Sequence, residues 1–222
     1  RAEFDGFEDQ YFVGRRPNGI YIPRFRNLGG KTNQDYLRGF GYQGGGSRGS
    51  WYEAAEGKGF GASLKEAVQA PGGWGMNLNG FGEILPYEDN FMQLNYDKLD
   101  AWGLPTIDFN TEIKENELKM REDMKASAVE ILEAAGGKNV QSYDYSYGIG
   151  LGIHEMGTAR MGRDRKTSVL NGNNQVWGAE NVFVTDGACL TSGSCVNPSL
   201  TYMALTARAA NYAVEQLKKQ NL

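Results

Sequence analysis

Residues 181–217 read NVFVTDGACLTSGSCVNPSLTYMALTARAANYAVEQL. The β-prone run Asn181–Thr185 predicts a strand, and Asp186-Gly187 predicts a tight turn. Asn197-Pro198 predicts a helix start, because asparagine is a strong N-cap and proline is favoured at the first helical position. Leu200, Met203, Ala207, Ala210, Val214 and Leu217 then recur at helical spacing and predict a buried stripe. Just upstream, GIHEMGTARMG (152–162) holds His154, the one histidine in 222 residues.

A chain of this length can bury roughly 70% of its unfolded surface, enough for one large domain or two small ones. Apolar residues make up 40% and charged residues 23%, which is ordinary globular usage, and no apolar run is long enough to cross a bilayer. The net charge of −4 argues against a nucleic-acid partner, which would select a concentrated basic footprint. Arg15, Arg16, Arg24 and Arg26 are offset by Glu3, Asp5, Glu8 and Asp9 and read as a solvated face. Two cysteines, Cys189 and Cys195, exclude a disulfide framework and a cysteine zinc cage, and no metal site is expected. The 31 glycines are about twice the usual ~7% share and predict many turns and close backbone approaches.

Along the chain, YFVGRRPNGIYIPRF (11–25) predicts a hairpin around Pro-Asn-Gly. Residues 28–50, dense in glycine, predict an exposed loop or lid. FGEILPYEDNFMQLN (81–95) predicts a second hairpin. From Asn110 to Ala135, the positions Ile113, Met120, Met124, Ala128, Ile131 and Ala135 share one helical face, with Asn110 as cap and Gly136-Gly137 as stop. SYDYSYGIGLGI (142–153) reads as extended. Hairpins around one long helix, followed by a strand-turn-helix tail, predict an α+β fold with mainly antiparallel sheet.

Two motifs read as decoys. Gly39, Gly41 and Gly44 satisfy G-x-G-x-x-G but lack the flanking strand and helix that give the pattern meaning. Gly45 to Gly49 match the G-x-S-x-G elbow, which makes a serine hydrolase using Ser47, a later aspartate and His154 a minority alternative. A non-catalytic carbohydrate-binding module is another, motivated by 12% aromatics and many loops; for a sugar substrate, Trp51, Tyr52, Trp74 and Trp102 offer stacking faces.

The stretches H-x-M-G-T-x-R-M-G from His154, N-V-F-V-T-D-G and N-P-S-L-T-x-x-A-L together resemble the C-terminal signature of the glucose-methanol-choline (GMC) flavoprotein oxidoreductases. The likeness is specific over residues 148–216. It extends upstream through LPYEDNFMQLN and DAWGLPTIDFN to about Phe81, and GYQGGGSRGSW (41–51) is similar to loops of the sugar-oxidising branch.

The resemblance implies that His154 is the base that takes a hydroxyl proton while hydride passes from the carbinol carbon to the flavin. A neutral imidazole suits that task. The partner position, Asn197, would hold and polarise the substrate hydroxyl. Asp186, Gly187, Asn197 and Pro198 would lie against the flavin, where helix N-terminal N–H groups favour negative charge on the reduced ring. Gly157 and Thr158 would shape the histidine loop, and Arg160 would either face the cofactor or make a structural ion pair.

Family members bind FAD through an N-terminal Rossmann-type domain that this sequence lacks. The chain is therefore expected to be the C-terminal part of a longer enzyme and inactive alone. Residues 1–150 would form an antiparallel substrate-binding domain with the long helix, and residues 151–222 the histidine loop and a strand-helix segment completing the FAD domain. The donor would be a small alcohol or, more specifically, a sugar. The resemblance leaves the acceptor (oxygen, a quinone or a cytochrome) and the compartment (bacterial cytoplasm or periplasm) open, and any targeting segment would precede Arg1.

Overall fold

A computed structural model describes residues 1–5, 19–49, 55–57, 59–69, 72–145 and 148–222. They form two compact units, Arg1–Gly82 with Lys119–Tyr145, and Glu83–Leu118 with Ser146–Leu222. Helices and antiparallel sheets occur together, an α+β arrangement.

The first unit is built on a four-stranded antiparallel sheet. Its strands are β1 (Ala2–Phe4), β2 (Gly19–Ile22), β3 (Phe40–Arg48) and β4 (Trp74–Gly82), in the spatial order β1-β4-β3-β2. Of the glycine-rich stretch 28–50 read as an exposed loop, residues 28–39 form no strand, whereas Phe40–Arg48 are the inner strand β3. Its register explains why: Phe40 lies opposite Gly82, Gly41 opposite Phe81, Tyr42 opposite Gly80 and Gly44 opposite Leu78. At these four positions a large side chain faces a glycine, so the strands close tightly and leave a trough. A Cβ on Gly41 would stand 2.8 Å from the Ile22 carbonyl oxygen, so this glycine serves strand packing and not a nucleotide. Ser47 lies within β3 opposite Gly75, not at a strand-to-helix elbow, which removes the structural basis of the hydrolase alternative. The first arm of the expected 11–25 hairpin lies outside the described residues, as do Trp51 and Tyr52; the second arm, β2, pairs with β3. A short helix, α1 (Ala62–Gln69), precedes β4.

Helix α2 (Glu115–Ala134) fills the trough. Met120 is buried with Tyr36, Phe40 and Tyr42, and Met124, Ala128 and Ile131 pack around them. Cβ atoms on Gly80 and Gly82 would collide with Met124 and crowd Met120. Burial contributes about 1.5–3 kcal/mol for each such large side chain. Leu132 joins Ala2 and Phe4 in a second cluster. The helix ends in a Schellman motif: Gly136 N–H donates to Glu133 O and Gly137 N–H to Leu132 O, each at 2.9 Å, with Gly136 at φ +87°. The expected start at Asn110 is not observed. Asn110 closes a strand and donates its amide to the Asp89 carbonyl. The first turn is instead held by the buried Glu117 carboxylate, which accepts the N–H groups of Lys114 and Leu85 and the Tyr87 hydroxyl, one half of a capping box extended by tertiary partners.

In the second unit, β5 (Phe91–Leu99) pairs antiparallel with β6 (Pro105–Asn110). The hairpin expected over 81–95 therefore does not form: β4 pairs with β1 and β3, and β5 turns back through Asp100–Leu104. The Asp100 carboxylate accepts the N–H groups of Trp102 and Leu104, and Trp102 at the tip is 85% exposed. Farther on, β7 (Gln175–Val176) pairs with β8 (Ala179–Phe183), two residues earlier than the strand read at 181–185. The described residues of 142–153 form no strand.

Helix α3 (Ser199–Lys218) departs from expectation twice. Pro198, not Asn197, occupies the N-cap in an αR conformation without a side-chain cap bond, and its carbonyl receives Tyr202 N–H at 3.1 Å. The apolar stripe exists but is not buried here: Leu200 is 77% and Met203 67% exposed. No described helix is long and apolar enough to cross a membrane.

Candidate functional site

The second unit brings three segments together. His154 is half-buried, and its carbonyl oxygen lies 3.3 Å from where a Cβ on Gly193 would sit. Gly157, at φ +90°, rests against the Thr191 carbonyl, 3.1 Å from its Cβ position. Downstream, Ala159 N–H donates to Ala188 O and Met161 N–H to Cys189 O. The histidine loop is therefore laced by backbone hydrogen bonds and close contacts onto residues 187–193.

Asp186 does not present a free carboxylate. Its Oδ1 accepts Ala188 N–H at 3.0 Å and caps a single 3₁₀ turn, Gly187–Cys189. Gly187 is the crossing point: a Cβ there would lie 2.8 Å from the Tyr202 hydroxyl, 2.9 Å from the Glu155 carbonyl oxygen and 3.1 Å from the Met156 sulfur. Tyr202 belongs to the first turn of α3, four residues beyond Pro198. The loop of His154, the Asp186-Gly187 turn and the first turn of α3 thus meet around one glycine through Glu155, Met156 and Tyr202, and Asn197 stands exposed two residues before α3.

Sequence reasoning missed the groups that tie these segments. Tyr202 donates its hydroxyl to Met156 Sδ at 3.4 Å. Burial first, then the negative charge of Asp186, pushes its phenol above the ordinary tyrosine value, so it is a donor at neutral pH. Fully buried Asn174 accepts a hydrogen bond from the Arg208 guanidinium at 2.8 Å and donates to the Val184 carbonyl at 2.9 Å. That pair links α3 to the strand leading into Asp186. Cys189, the last residue of the 3₁₀ turn, is buried, and burial raises its thiol. Arg160 contributes its carbonyl, which accepts the N–H groups of Val169 and Leu170. Among the described residues, no group of three or more His, Cys, Asp or Glu side chains is placed to hold a metal ion.

The chain is 35% identical over 187 residues to 2-methyl-1,2-propanediol dehydrogenase of Mycolicibacterium austroafricanum, covering 82% of the chain and 34% of that protein. It is 27% identical over 143 residues to pyranose 2-oxidase of Lyophyllum shimeji, 64% of the chain and 23% of the relative. It is also 27% identical over 159 residues to the fructose dehydrogenase large subunit of Gluconobacter japonicus, 72% and 29%. The chain thus spans about a third or less of the length of these relatives. A family model described as GMC oxidoreductase matches residues 86–206, which take in the β5–β6 hairpin, the histidine loop, the 3₁₀ turn and the first turns of α3. Matched over more than half its length, the protein belongs to the GMC oxidoreductases, a family of flavoproteins.

Proposed function

We propose that the chain is the C-terminal substrate-binding and catalytic part of an FAD-dependent oxidoreductase that oxidises the CH–OH group of a sugar or small alcohol. The observation that carries this reading is the convergence on Gly187 of the loop that holds His154, through Glu155 and Met156, and of the first turn of α3, through Tyr202. Residues 1–150 would supply the substrate-binding portion, and residues 151–222 the histidine loop and the segment that completes the FAD domain.

The donor set fits the cofactor. The first-turn N–H groups of α3 have no acceptor within the helix and carry partial positive charge, and the Leu200 and Met203 side chains beside them are exposed. Bound FAD supplies the acceptor for the hydride that leaves the carbinol carbon. His154 takes the hydroxyl proton on an imidazole nitrogen as the C–H bond breaks, so that the alcohol becomes a carbonyl. The Asn197 amide, which cannot accept that proton, holds the hydroxyl oxygen. Gly187 and Pro198 would hold the cofactor through their backbone, and Asp186 would act through its cap on the 3₁₀ turn. The relatives' names span a small diol and several sugars, so the proposed donor class is a vicinal or polyhydroxylated alcohol.

The test is the visible spectrum of the full-length gene product before and after anaerobic addition of glucose, fructose or 2-methyl-1,2-propanediol. A yellow protein bleached by one of them supports the reading, and a colourless protein refutes it. The 222-residue chain alone is expected to be inactive and not to retain FAD. A stoichiometric yellow complex of the chain with FAD would overturn that part.

A further inference from the structure

Ile153, immediately before the histidine, stands at φ +63°, a left-handed conformation in which a β-branched residue is a genuine outlier. Its side chain is 88% exposed, so packing does not compensate the strain. What holds the backbone there is Glu155, on the other side of His154: its Oε1 accepts the N–H groups of both Gly152 and Ile153, each at 3.2 Å. One oxygen thus bridges two successive amides. Beyond Glu155 the chain is fixed by close approach, since the Glu155 carbonyl oxygen lies 2.9 Å from the Cβ position of Gly187. His154 therefore sits between a carboxylate clamp on its upstream side and a glycine floor on its downstream side.

We infer that Glu155 is a positioning residue for His154: by holding Ile153 in its strained conformation, it fixes the direction from which the imidazole enters the site. The inference rests on the proposed role of His154 as base. Without the acceptor, the Gly152 and Ile153 N–H groups turn to water, Ile153 relaxes to negative φ, and the chain leading into His154 swings. The clamp needs an oxygen at that reach and not a charge. Glutamine preserves the oxygen without the charge, whereas aspartate keeps the charge and withdraws it by one methylene.

The test compares Glu155→Gln, Glu155→Asp, Glu155→Ala and His154→Ala in the flavin-loaded full-length enzyme. Glu155→Ala and Glu155→Asp are expected to lower kcat at least tenfold with KM within twofold of the parent, and Glu155→Gln to keep at least half of kcat with the same pH profile. Amide hydrogen exchange of the peptide covering Gly152–Met156 should quicken in the first two variants and stay at the parent rate in Glu155→Gln. Where Glu155→Ala loses flavin, the order of the aspartate and glutamine variants still decides. Parent-like kcat in Glu155→Asp, or a glutamine variant as impaired as the alanine one, overturns the inference while leaving the base assignment standing if His154→Ala is inactive. An active His154→Ala enzyme overturns both.

Discussion

The Tyr202 hydroxyl lies 3.4 Å from the Met156 sulfur, and the two groups close over the Cα of Gly187. Helix α3 is thereby joined to the histidine loop across the turn that follows β8. Gly187→Ala would push a methyl against Tyr202 Oη, the Glu155 carbonyl and Met156 Sδ, at 2.8, 2.9 and 3.1 Å. The two side chains can yield, but the carbonyl belongs to the loop that carries His154. Overpacking of this kind costs about 1–3 kcal/mol, and the expected outcome is a folded protein with a shifted loop. In the full-length enzyme kcat should fall at least tenfold, with Tm lower by a few degrees; unchanged kcat would mean that the junction does not set the loop.

Asn174 tests the link from α3 to β8. It is fully buried at φ +63° and bonds both the Arg208 guanidinium and the Val184 carbonyl. Asn174→Ala loses those side-chain bonds and places a Cβ residue in the left-handed region, so a loss of about 2–4 kcal/mol in urea unfolding is expected. Asn174→Gly loses the same bonds but adopts that conformation freely, and should be milder by about 1 kcal/mol. Equal losses would show that the hydrogen bonds alone matter.

Acid sensitivity of the first unit should centre on Asp123. Its carboxylate accepts two bonds from Arg26 at 3.0 and 2.9 Å, one from the Tyr36 hydroxyl at 2.6 Å and one from Ser127 at 2.9 Å. Burial alone would raise the carboxyl, but these donors outweigh it and hold the pKa below the ordinary aspartate value. An acid depressed in the folded state contributes its stability above the unfolded pKa of about 3.9 and loses it as pH falls through the folded value. Asp123→Asn is expected to cost about 1–3 kcal/mol at pH 7. The difference from the parent should shrink as urea midpoints are taken from pH 5 down to pH 2, and a constant difference would contradict the assignment.

How much of this was legible in the residues depends on whether a signal is local. The C-terminal stop of α2 was readable because Gly136-Gly137 closes a Schellman motif on its own. Its start was not, because the Glu117 carboxylate caps it together with Leu85 and Tyr87, groups distant in sequence. Strand β3 escaped detection because glycine carries no side chain to show a period of two. Its logic appears only once Gly41 and Gly44 are set opposite Phe81 and Leu78. The histidine loop, the Asp186-Gly187 turn and the Asn197-Pro198 step were visible as motifs, whereas the contacts that join them, through Tyr202, Met156 and Glu155, exist only in space.

His154→Ala separates the proposed enzyme from the carbohydrate-binding alternative. Removal of a general base costs typically 10²–10⁴-fold in rate, so the full-length variant should lose kcat by about that factor while its flavin absorbance per protein stays at the parent level. The imidazole is half-buried on a loop fixed mainly through its backbone, so its removal should leave the fold intact. A variant with parent turnover would leave the single histidine without a chemical role.

The exposed stripe of α3 carries the last prediction. Leu200 and Met203 face solvent in this chain, so Leu200→Ser and Met203→Ser should change its unfolding free energy by no more than about 0.5 kcal/mol, as surface substitutions do. In the full-length protein the same face is expected to lie against the FAD-binding portion, since relatives more than twice as long share this segment. There the double substitution should lower flavin content and Tm together, because a buried leucine or methionine is worth about 1.5–3 kcal/mol. Parent-like flavin content and Tm in the full-length double variant would show that the stripe remains at the surface and that α3 does not complete the FAD domain.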